Sequence, residues 1–397
     1  MTTQLGLFVH PKDGNVGIGT TITSYPLAVQ GNMYVNGNVS AGNLGMFRNR
    51  IINGNMNIDQ RNSGTAVTNV PTGTYVLDRF FHSKVGTLTV NVQQVNTPAS
   101  LTGFQKCLKI SVGTQQASLA TGDFAGFGQV IEGFNVSDFM FGTSSAQNVT
   151  VSFWVYSSVT GTFSVTLRNT GSTRSYVFNF TIVSINTWQY ISATIPGDTT
   201  GTWNVDNTVG LTVIINLAAG TTYQTTAGAW QSGNYFGTSS MSNFFANTVG
   251  SAIYITGFQL EKGTIATPFE FRPNAIELML CQRYLFRPKL AAVVNNYSLI
   301  ASGYWTSATT ASVFIYLPVP QRSTPILTVE NGVSNFALTV NGYANVGTVT
   351  SLAIGNASST ALSIGVGYTT GGQTPGYGTA LYSNNQLTYS LQFGAEF

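Results

Sequence analysis

The stretch VTVSFWVY at residues 149–156 decides the fold class, because polarity alternates along its whole length. Valine and phenylalanine occupy every second position, so one face of an extended strand is apolar and packs on a core. The opposite face carries four hydroxyl or aromatic side chains: Thr150, Ser152, Trp154 and Tyr156. The stretch therefore predicts a half-buried β-strand.

Similar runs recur roughly every dozen residues between residues 48 and 270, separated by Gly, Asn, Asp and Ser. This spacing predicts an antiparallel β-sandwich, and no helical run long enough for a parallel crossover interrupts it. The predicted strands are 88–95, 108–112, 149–156, 163–167, 176–183, 188–195, 209–217 and 251–260.

The only predicted helix is PNAIELMLCQRY, at residues 273–284. Pro273 suits a first helical turn, and Glu277 complements the helix dipole. Ile276, Leu280 and Tyr284 predict an apolar stripe on this helix. Residues 290–397 then return to alternating β character and predict a second, smaller sandwich, with a Gly- and Tyr-rich loop at 365–378.

Residues 12–43 are of low complexity, with Gly-Asn pairs between apolar runs of two to five residues. Strands this short cannot bury a face alone, so the segment predicts an intertwined trimeric β-shaft, with a flexible linker as the alternative. The predicted all-β chain thus comprises an attachment segment and shaft, a central jelly-roll-like sandwich, a connector helix and a distal sandwich. Their boundaries are 1–47, 48–272, 273–289 and 290–397.

Charged residues make up only 7% of the 397 residues, against roughly a quarter in an ordinary globular protein. Such a surface suits an extracellular or virion-exposed fibre better than a cytosolic enzyme. The scattered Lys and Arg residues are too thinly spread for nucleic-acid binding. No apolar run reaches membrane-spanning length, so we expect no membrane insertion. Cys107 and Cys281 are expected to be buried thiols.

The amino terminus lacks the basic start and apolar core of a signal peptide. A protein with an extracellular composition and no export signal is most simply a virion component. We therefore expect it to be synthesised in the host cytoplasm and released in the virion when the cell lyses.

Three segments resemble tail-fibre and receptor-binding proteins of bacteriophages and related large viruses. GNVGIGT at 14–20 and YPLAVQGN at 25–32 are similar to repeats of fibre shafts. RNRIINGNMNIDQRNSG at 48–64, leading to YVLDRFF at 75–81, resembles the opening of fibre β-sandwiches. ITGFQLEKGTIATPFEFRPNAIELMLCQRYL at 255–285 resembles their closing signature.

This resemblance implies a homotrimeric fibre with a sandwich like that of carbohydrate-binding modules and a variable tip. The partners would be other virion proteins of the tail, baseplate or capsid, held through the N-terminus, and host surface polysaccharide. The expected function is non-catalytic attachment to host glycan. One alternative is a purely structural collar or baseplate decoration, and another is a polysaccharide-degrading tailspike.

Two groups of acids and arginines lie at opposite ends of the central sandwich sequence. We expect them to meet as a structural ion-pair lock, with a catalytic or metal site as the alternative. The predicted cluster is Arg48, Arg50, Asp59, Arg61, Asp78, Arg79, Glu261, Glu270, Arg272, Glu277 and Arg283.

No catalytic residue is predicted, and we expect no metal or other cofactor. Asp198 and Asp206 flank Trp203 in the manner of a glycosidase acid pair, but both also fit turns, where Asp is favoured. His10 and His82 lie far apart in sequence, without the spacing of a metal or triad site.

Aromatic rings in turn-rich context are the predicted glycan contacts, since a ring face packs against the apolar face of a sugar. The distal rings are preferred because a free tip meets the host first. The predicted contacts are Tyr304, Trp305, Tyr368, Tyr377, Trp203, Trp230 and Tyr235.

Overall fold

The computed structural model describes residues 7–9, 16–18, 27–29, 47–288, 297–330, 332–340, 343–345, 349–369, 371–384 and 391–397. Within these residues the fold is all-β apart from one α-helix, so the prediction of an antiparallel β-sandwich with one short helix is confirmed. No helix in this part of the chain is long and apolar enough to cross a membrane. The chain divides into Met1–Gly45 and Met46–Phe397.

The amino-terminal unit contains three short strands, β1 (Leu7–Val9), β2 (Val16–Ile18) and β3 (Leu27–Val29). β1 pairs antiparallel with β2, and β2 pairs parallel with β3. The rest of the predicted shaft over residues 12–43 lies outside the described residues. Three strands of this length form a ribbon with no enclosed interior.

The central sandwich consists of twelve strands. They are β4 (Tyr75–Leu77), β5 (Phe80–Val85), β6 (Val90–Leu101), β7 (Phe104–Val112), β8 (Phe124–Glu132), β9 (Val149–Ser157), β10 (Gly161–Arg168), β11 (Arg174–Ile182), β12 (Gln189–Ile195), β13 (Val209–Ala219), β14 (Trp230–Ser232) and β15 (Ala252–Lys262). Short 3₁₀ turns lie at Gly133–Asn135, Ser137–Phe139, Thr221–Tyr223 and Phe244–Ala246.

These strands form two antiparallel sheets with one core between them. The seven-stranded sheet has the order β14-β11-β10-β13-β8-β5-β4, and the five-stranded sheet has the order β12-β9-β15-β7-β6. In β9, Val149, Val151, Phe153 and Val155 are fully buried against the opposite sheet. The alternation of residues 149–156 therefore sets which face of the five-stranded sheet points outwards.

Helix α1 (Asn274–Gln282) follows the central sandwich, and its buried face matches the predicted stripe at Leu280 and Tyr284 but not at Ile276. Ile276 is exposed, whereas Glu277 and Cys281 are buried together with Tyr284, beyond the end of the helix. The buried Glu277 has polar partners: it accepts the backbone N–H of Asn53 and contacts the Arg272 guanidinium at 3.3 Å.

The distal domain contains ten strands. They are β16 (Leu285–Phe286), β17 (Tyr297–Trp305), β18 (Thr310–Tyr316), β19 (Ile326–Val329), β20 (Phe336–Val340), β21 (Tyr343–Asn345), β22 (Val349–Ala357), β23 (Ala361–Tyr368), β24 (Gly378–Asn384) and β25 (Leu391–Gly394), with a 3₁₀ turn at Val333–Asn335. A seven-stranded sheet, β21-β20-β24-β17-β18-β23-β22, shares a core with a three-stranded sheet, β16-β25-β19.

A buried arginine joins the two sandwiches. Arg79 is 1% exposed, lies 3.4 Å from the centroid of the Tyr284 ring and pairs with Glu396 near the end of the distal domain. Arg61 contacts the same carboxylate at 2.6 Å. Burial is the largest single influence and lowers the pKa of Arg79, but Glu396, Tyr284, Tyr75 and Cys281 together outweigh it, so the net direction is upward.

We expect His82→Phe to remove part of the acid sensitivity of the central sandwich. His82 stacks on Phe127 and donates from Nδ1 to the Val70 carbonyl at 3.1 Å, and burial lowers its pKa to about 4. Unfolded histidine titrates near 6.5, so the unfolded chain binds the extra proton between pH 6.5 and pH 4. Stability of about 3 kcal/mol should therefore be lost as pH falls through that window.

Urea unfolding of wild type and variant at pH 7.0 and pH 4.5 measures this difference. Burial also raises the pKa of Asp78, to about 6, which gives the opposite pH dependence, but Asp78 is present in both proteins and cancels in the comparison. Equal loss of stability in both proteins would contradict the assignment to His82.

Candidate functional site

An open cleft of about 600 Å³ lies on the outer face of the five-stranded sheet. Its lining combines aromatic rings with hydroxyl groups and contains no charged side chain. The lining residues are Thr102, Phe104, Ser152, Trp154, Tyr190, Gly257, Ala266, Thr267, Pro268, Phe269 and Phe271. This is the aromatic cleft.

One wall of the aromatic cleft is a pair of rings from neighbouring strands. Trp154 of β9 and Tyr190 of β12 are direct partners in the antiparallel register. Their ring centroids lie 5.0 Å apart, and Tyr190 is 44% exposed. Both side chains point away from the core because they follow the alternation that buries Phe153 between the sheets.

The other wall is formed by three phenylalanine rings. Phe104 of β7 packs against Phe269 and Phe271, with centroid distances of 5.2 and 5.1 Å. Gly257 lies between the walls, where β15 has a bulge, and its φ of +65° is one that side chains rarely adopt. A Cβ at Gly257 would lie 2.9 Å from Phe104 and 3.1 Å from Trp154, so glycine keeps the walls apart.

A buried carboxylate holds the segment 264–271 that carries Phe269 and Phe271. Glu261 is fully buried and accepts the backbone N–H of Thr267 at 2.8 Å and its hydroxyl at 2.6 Å. Gln259 donates to Glu261 at 2.9 Å and accepts the backbone N–H of Glu270 at 2.9 Å. These bonds fix the segment across the end of β15.

The beginning of the central sandwich holds the same segment from its other side. The Arg48 guanidinium donates to the Thr267 hydroxyl at 2.8 Å and lies 3.7 Å from Glu261. Glu270 accepts the backbone N–H groups of Phe47 and Asn49. The two ends of the sandwich sequence therefore meet beside the aromatic cleft and fix its phenylalanine wall.

The other members of the predicted ion-pair cluster have several partners. Arg272 contacts Glu270 and Glu277, Arg50 contacts the exposed Asp138, and Arg283 pairs with Glu132 at 2.7 Å. Arg61 and Arg79 meet at Glu396, as described above. Asp59 accepts the backbone N–H groups of Asn62 and Gly64, and Asp78 accepts both the backbone N–H and the side-chain amide of Gln60. Hydrogen bonding to Glu132 raises the pKa of Arg283.

The predicted glycan contacts Trp203 and Trp230 are structural anchors. Both rings are partly buried against the central core and pack edge-on with Phe141, at centroid distances of 4.9 and 5.7 Å. The indole N–H groups donate to the carbonyls of Thr200 at 3.1 Å and Pro196 at 2.7 Å. Neither indole is positioned to bind a ligand with its N–H group.

Two of the remaining predicted glycan contacts are buried in the structure. Trp305 is 1% exposed and packs against Tyr368, which is 4% exposed, inside the distal core. Tyr304 and Tyr377 are exposed at 43% and 60%, and Tyr235 is partly buried. The expectation of surface rings is therefore wrong for Trp305 and Tyr368, because their strands turn them towards the core.

The acids considered for catalysis have structural partners. Asp198 is buried and accepts two bonds from Arg174, at 2.7 and 2.8 Å, and this hydrogen bonding raises the pKa of Arg174. Asp206 is bound to the backbone and hydroxyl of Thr208, as in a turn, and these bonds lower its pKa. The described residues contain no group of three acids, histidines or cysteines able to hold a metal ion.

The sequence predictions missed Trp154 and Tyr190, although the alternation of residues 149–156 already places Trp154 opposite the core. Trp154 and Tyr156, an aromatic pair on the outer face of one strand, were the available signal. Cys107 and Cys281 are buried free thiols as expected, and burial raises the pKa of Cys107 to about 12.

No protein-family model and no curated protein matches the sequence. Among solved structures, the enzymatically active domain of tailspike protein 4 from bacteriophage CBA120 is similar, with a TM-score of 0.31 and 15% identity over 60% of this chain. The match spans 25% of that tailspike chain.

The family 11 carbohydrate-binding module of cellulase Lic26A-Cel5E from Clostridium thermocellum is also similar, with a TM-score of 0.26 and 12% identity, covering 50% of this chain and 100% of the module. TmCBM61, solved with β-1,4-galactotriose, has a TM-score of 0.24 and 11% identity, covering 46% of this chain and 88% of the module. Similarity at this level does not indicate a shared function.

We expect Glu261→Ala to destabilise the central sandwich by about 3 kcal/mol, because it leaves Arg48 and the backbone N–H of Thr267 without their buried acceptor. Hydrogen exchange should become faster in residues 264–271, and urea unfolding measures the loss of stability. Asp138→Asn is the matched control. It removes an exposed ion pair with Arg50 and should cost less than about 1 kcal/mol. Equal effects of the two substitutions would refute the positioning role of Glu261.

Proposed function

We propose that this chain is a non-catalytic glycan-binding protein of a virion fibre and that the aromatic cleft binds its ligand. The observation that carries the proposal is the pairing of Trp154 and Tyr190 opposite a phenylalanine wall, in a cleft with no charged lining. Sugar rings present an apolar C–H face that packs on an aromatic ring, and their hydroxyl groups bond to hydroxyls such as that of Thr102. The uncharged lining favours a neutral polysaccharide over an acidic one.

Non-catalytic binding accounts for the state of the acids. Glycosidases need two carboxylates placed to protonate a leaving group and to attack or activate water. In the described part of the chain, each carboxylate accepts a hydrogen bond from an arginine, an amide or a hydroxyl within the protein. Glu261, which holds the segment carrying the phenylalanine wall, is itself buried and bonded to Thr267.

The amino-terminal unit supports a trimeric fibre. In a single chain, Val9, Ile18 and Leu27 are exposed at 52%, 45% and 52%. Two further copies around one axis would cover these side chains without any change in strand length. This segment would also attach the fibre to other virion proteins, so that the protein is carried on the particle.

A trimer also suits a weak site. Shallow aromatic contacts with neutral sugars give low affinity for each cleft, but three clefts on one fibre raise the apparent affinity through effective concentration. Attachment to a repeating surface polysaccharide uses this effect directly.

Trp154→Ala should weaken binding of the full chain to its neutral polysaccharide ligand by about 30-fold, since central aromatic contacts contribute about 2 kcal/mol each. A glycan microarray identifies the ligand, and titration calorimetry measures the change. Trp203→Ala is the control for loss of a tryptophan elsewhere in the sandwich and should leave binding intact in folded protein.

Two outcomes would contradict the proposal. Absence of any glycan binding by wild-type protein would favour a structural decoration of the particle. Release of reducing sugar from host envelope by wild-type protein would favour a degrading spike, and loss of that release in Asp198→Asn would locate the activity.

The full chain should have the mass of a trimer in native mass spectrometry. Ile18→Ser with Leu27→Ser should shift the population towards monomer, because these substitutions make the apolar surface of the short strands polar. Val183→Ser, at a residue of the central sandwich that is 72% exposed, is the control and should remain trimeric. A monomeric wild-type chain would rule out the trimeric shaft.

A further inference from the structure

A second groove, of about 340 Å³, lies on the distal domain at the ends of β18, β22 and β23. Its rings come from β18, where Phe314 is 44% and Tyr316 is 82% exposed. Ala311, Val313 and Ile315 of the same strand are buried, so alternation turns the two rings outwards. This is the distal groove.

A β-bulge shapes the side of the distal groove opposite the rings. The pairing of β22 with β23 shifts register between Ile354 and Ala357. Within the bulge, the backbone N–H of Asn356 is bound by the Ser363 hydroxyl at 2.9 Å. A Cβ at Gly355 would lie 2.7 Å from that hydroxyl, so a glycine is needed there. Bulges of this kind redirect a side chain, and here the exposed Asn356 borders the groove.

The composition of the distal groove matches that of the aromatic cleft. Its lining combines aromatic, hydroxyl and amide side chains with the aliphatic Ile315, Ala357, Ala361 and Leu362, and it contains no charged residue. Ser302 and Ser363 are the cross-strand neighbours of Phe314, so a hydroxyl group flanks this ring on either side.

We propose that the distal groove is a second glycan-binding site, in which Phe314 and Tyr316 pack against a neutral saccharide and Asn356 orients it by hydrogen bonding. The site shares no residue with the aromatic cleft, so a substitution can abolish binding at one site and leave binding at the other intact. A single chain would then bind one polysaccharide, or two different ones, at separate places.

The test uses the full chain on a microarray of neutral hexose oligosaccharides and uronic-acid oligosaccharides. Trp154→Ala should retain binding to a set of neutral sugars, and addition of Phe314→Ala and Tyr316→Ala should abolish it. By titration against a neutral oligosaccharide from that set, the distal double variant alone should bind about 30-fold more weakly than wild type. Phe134→Ala, which removes a 60% exposed ring outside the linings of both the distal groove and the aromatic cleft, is the control and should bind as wild type does.

Unchanged unfolding temperatures would show that the surface substitutions leave the fold intact. The proposal is overturned if the distal double variant binds every sugar as wild type does, or if the sugars lost are acidic ones only. It is also overturned if the double variant instead reduces the oligomer mass, since the groove would then be a contact between copies of this chain. If Trp154→Ala abolishes all binding, the aromatic cleft is the glycan-binding site and the proposal of a distal site is refuted.

Discussion

The pairing of Arg79 with Glu396 beneath the Tyr284 ring determines how the central and distal sandwiches are joined. A buried ion pair is a poor source of net stability, because removing two charges from water costs several kcal/mol per ion. Its effect is selective: any other arrangement of the two domains would leave a charge buried without a partner. Arg61, bound to the same carboxylate, strengthens this constraint on how the domains meet.

The same physical rule operates at the aromatic cleft, where Glu261 and Arg48 hold the phenylalanine wall. In a chain with 7% charged residues, the charges are concentrated where chain segments distant in sequence must meet. The outer sheet faces are left with rings, hydroxyls and amides. The few charged residues thus help to specify the fold in the interior, and their scarcity on the surface leaves it suited to neutral ligands.

The sequence predicts strands reliably where aliphatic and aromatic core residues alternate with polar or amphipathic ones, as in 149–156. It fails for β8, which is buried on both faces and contains Gly126 and Gly128. Those glycines look like turn residues, yet a Cβ at Gly128 would lie 2.0 Å from the Val213 carbonyl oxygen of the neighbouring strand. Glycine here permits close approach of strands, which local composition does not distinguish from a turn. Part of the helix face is missed for a similar reason, since the partners of Glu277 are distant in sequence.

Neighbouring residues on a strand face opposite sides of the sheet, so a shift of one position decides whether a ring lies at the surface or in the core. Tyr304 and Trp305 are adjacent, yet only Tyr304 is exposed. Trp305 pairs with Ala311 across the hairpin, and the Ala311–Val313 alternation marks that side as core, so the register would have excluded Trp305. For Trp154, the alternation within its own strand is enough to place the ring on the outer face. The rest of the walls comes from segments on both sides of it in the sequence, from Phe104 to Phe271, and arises only when the chain folds.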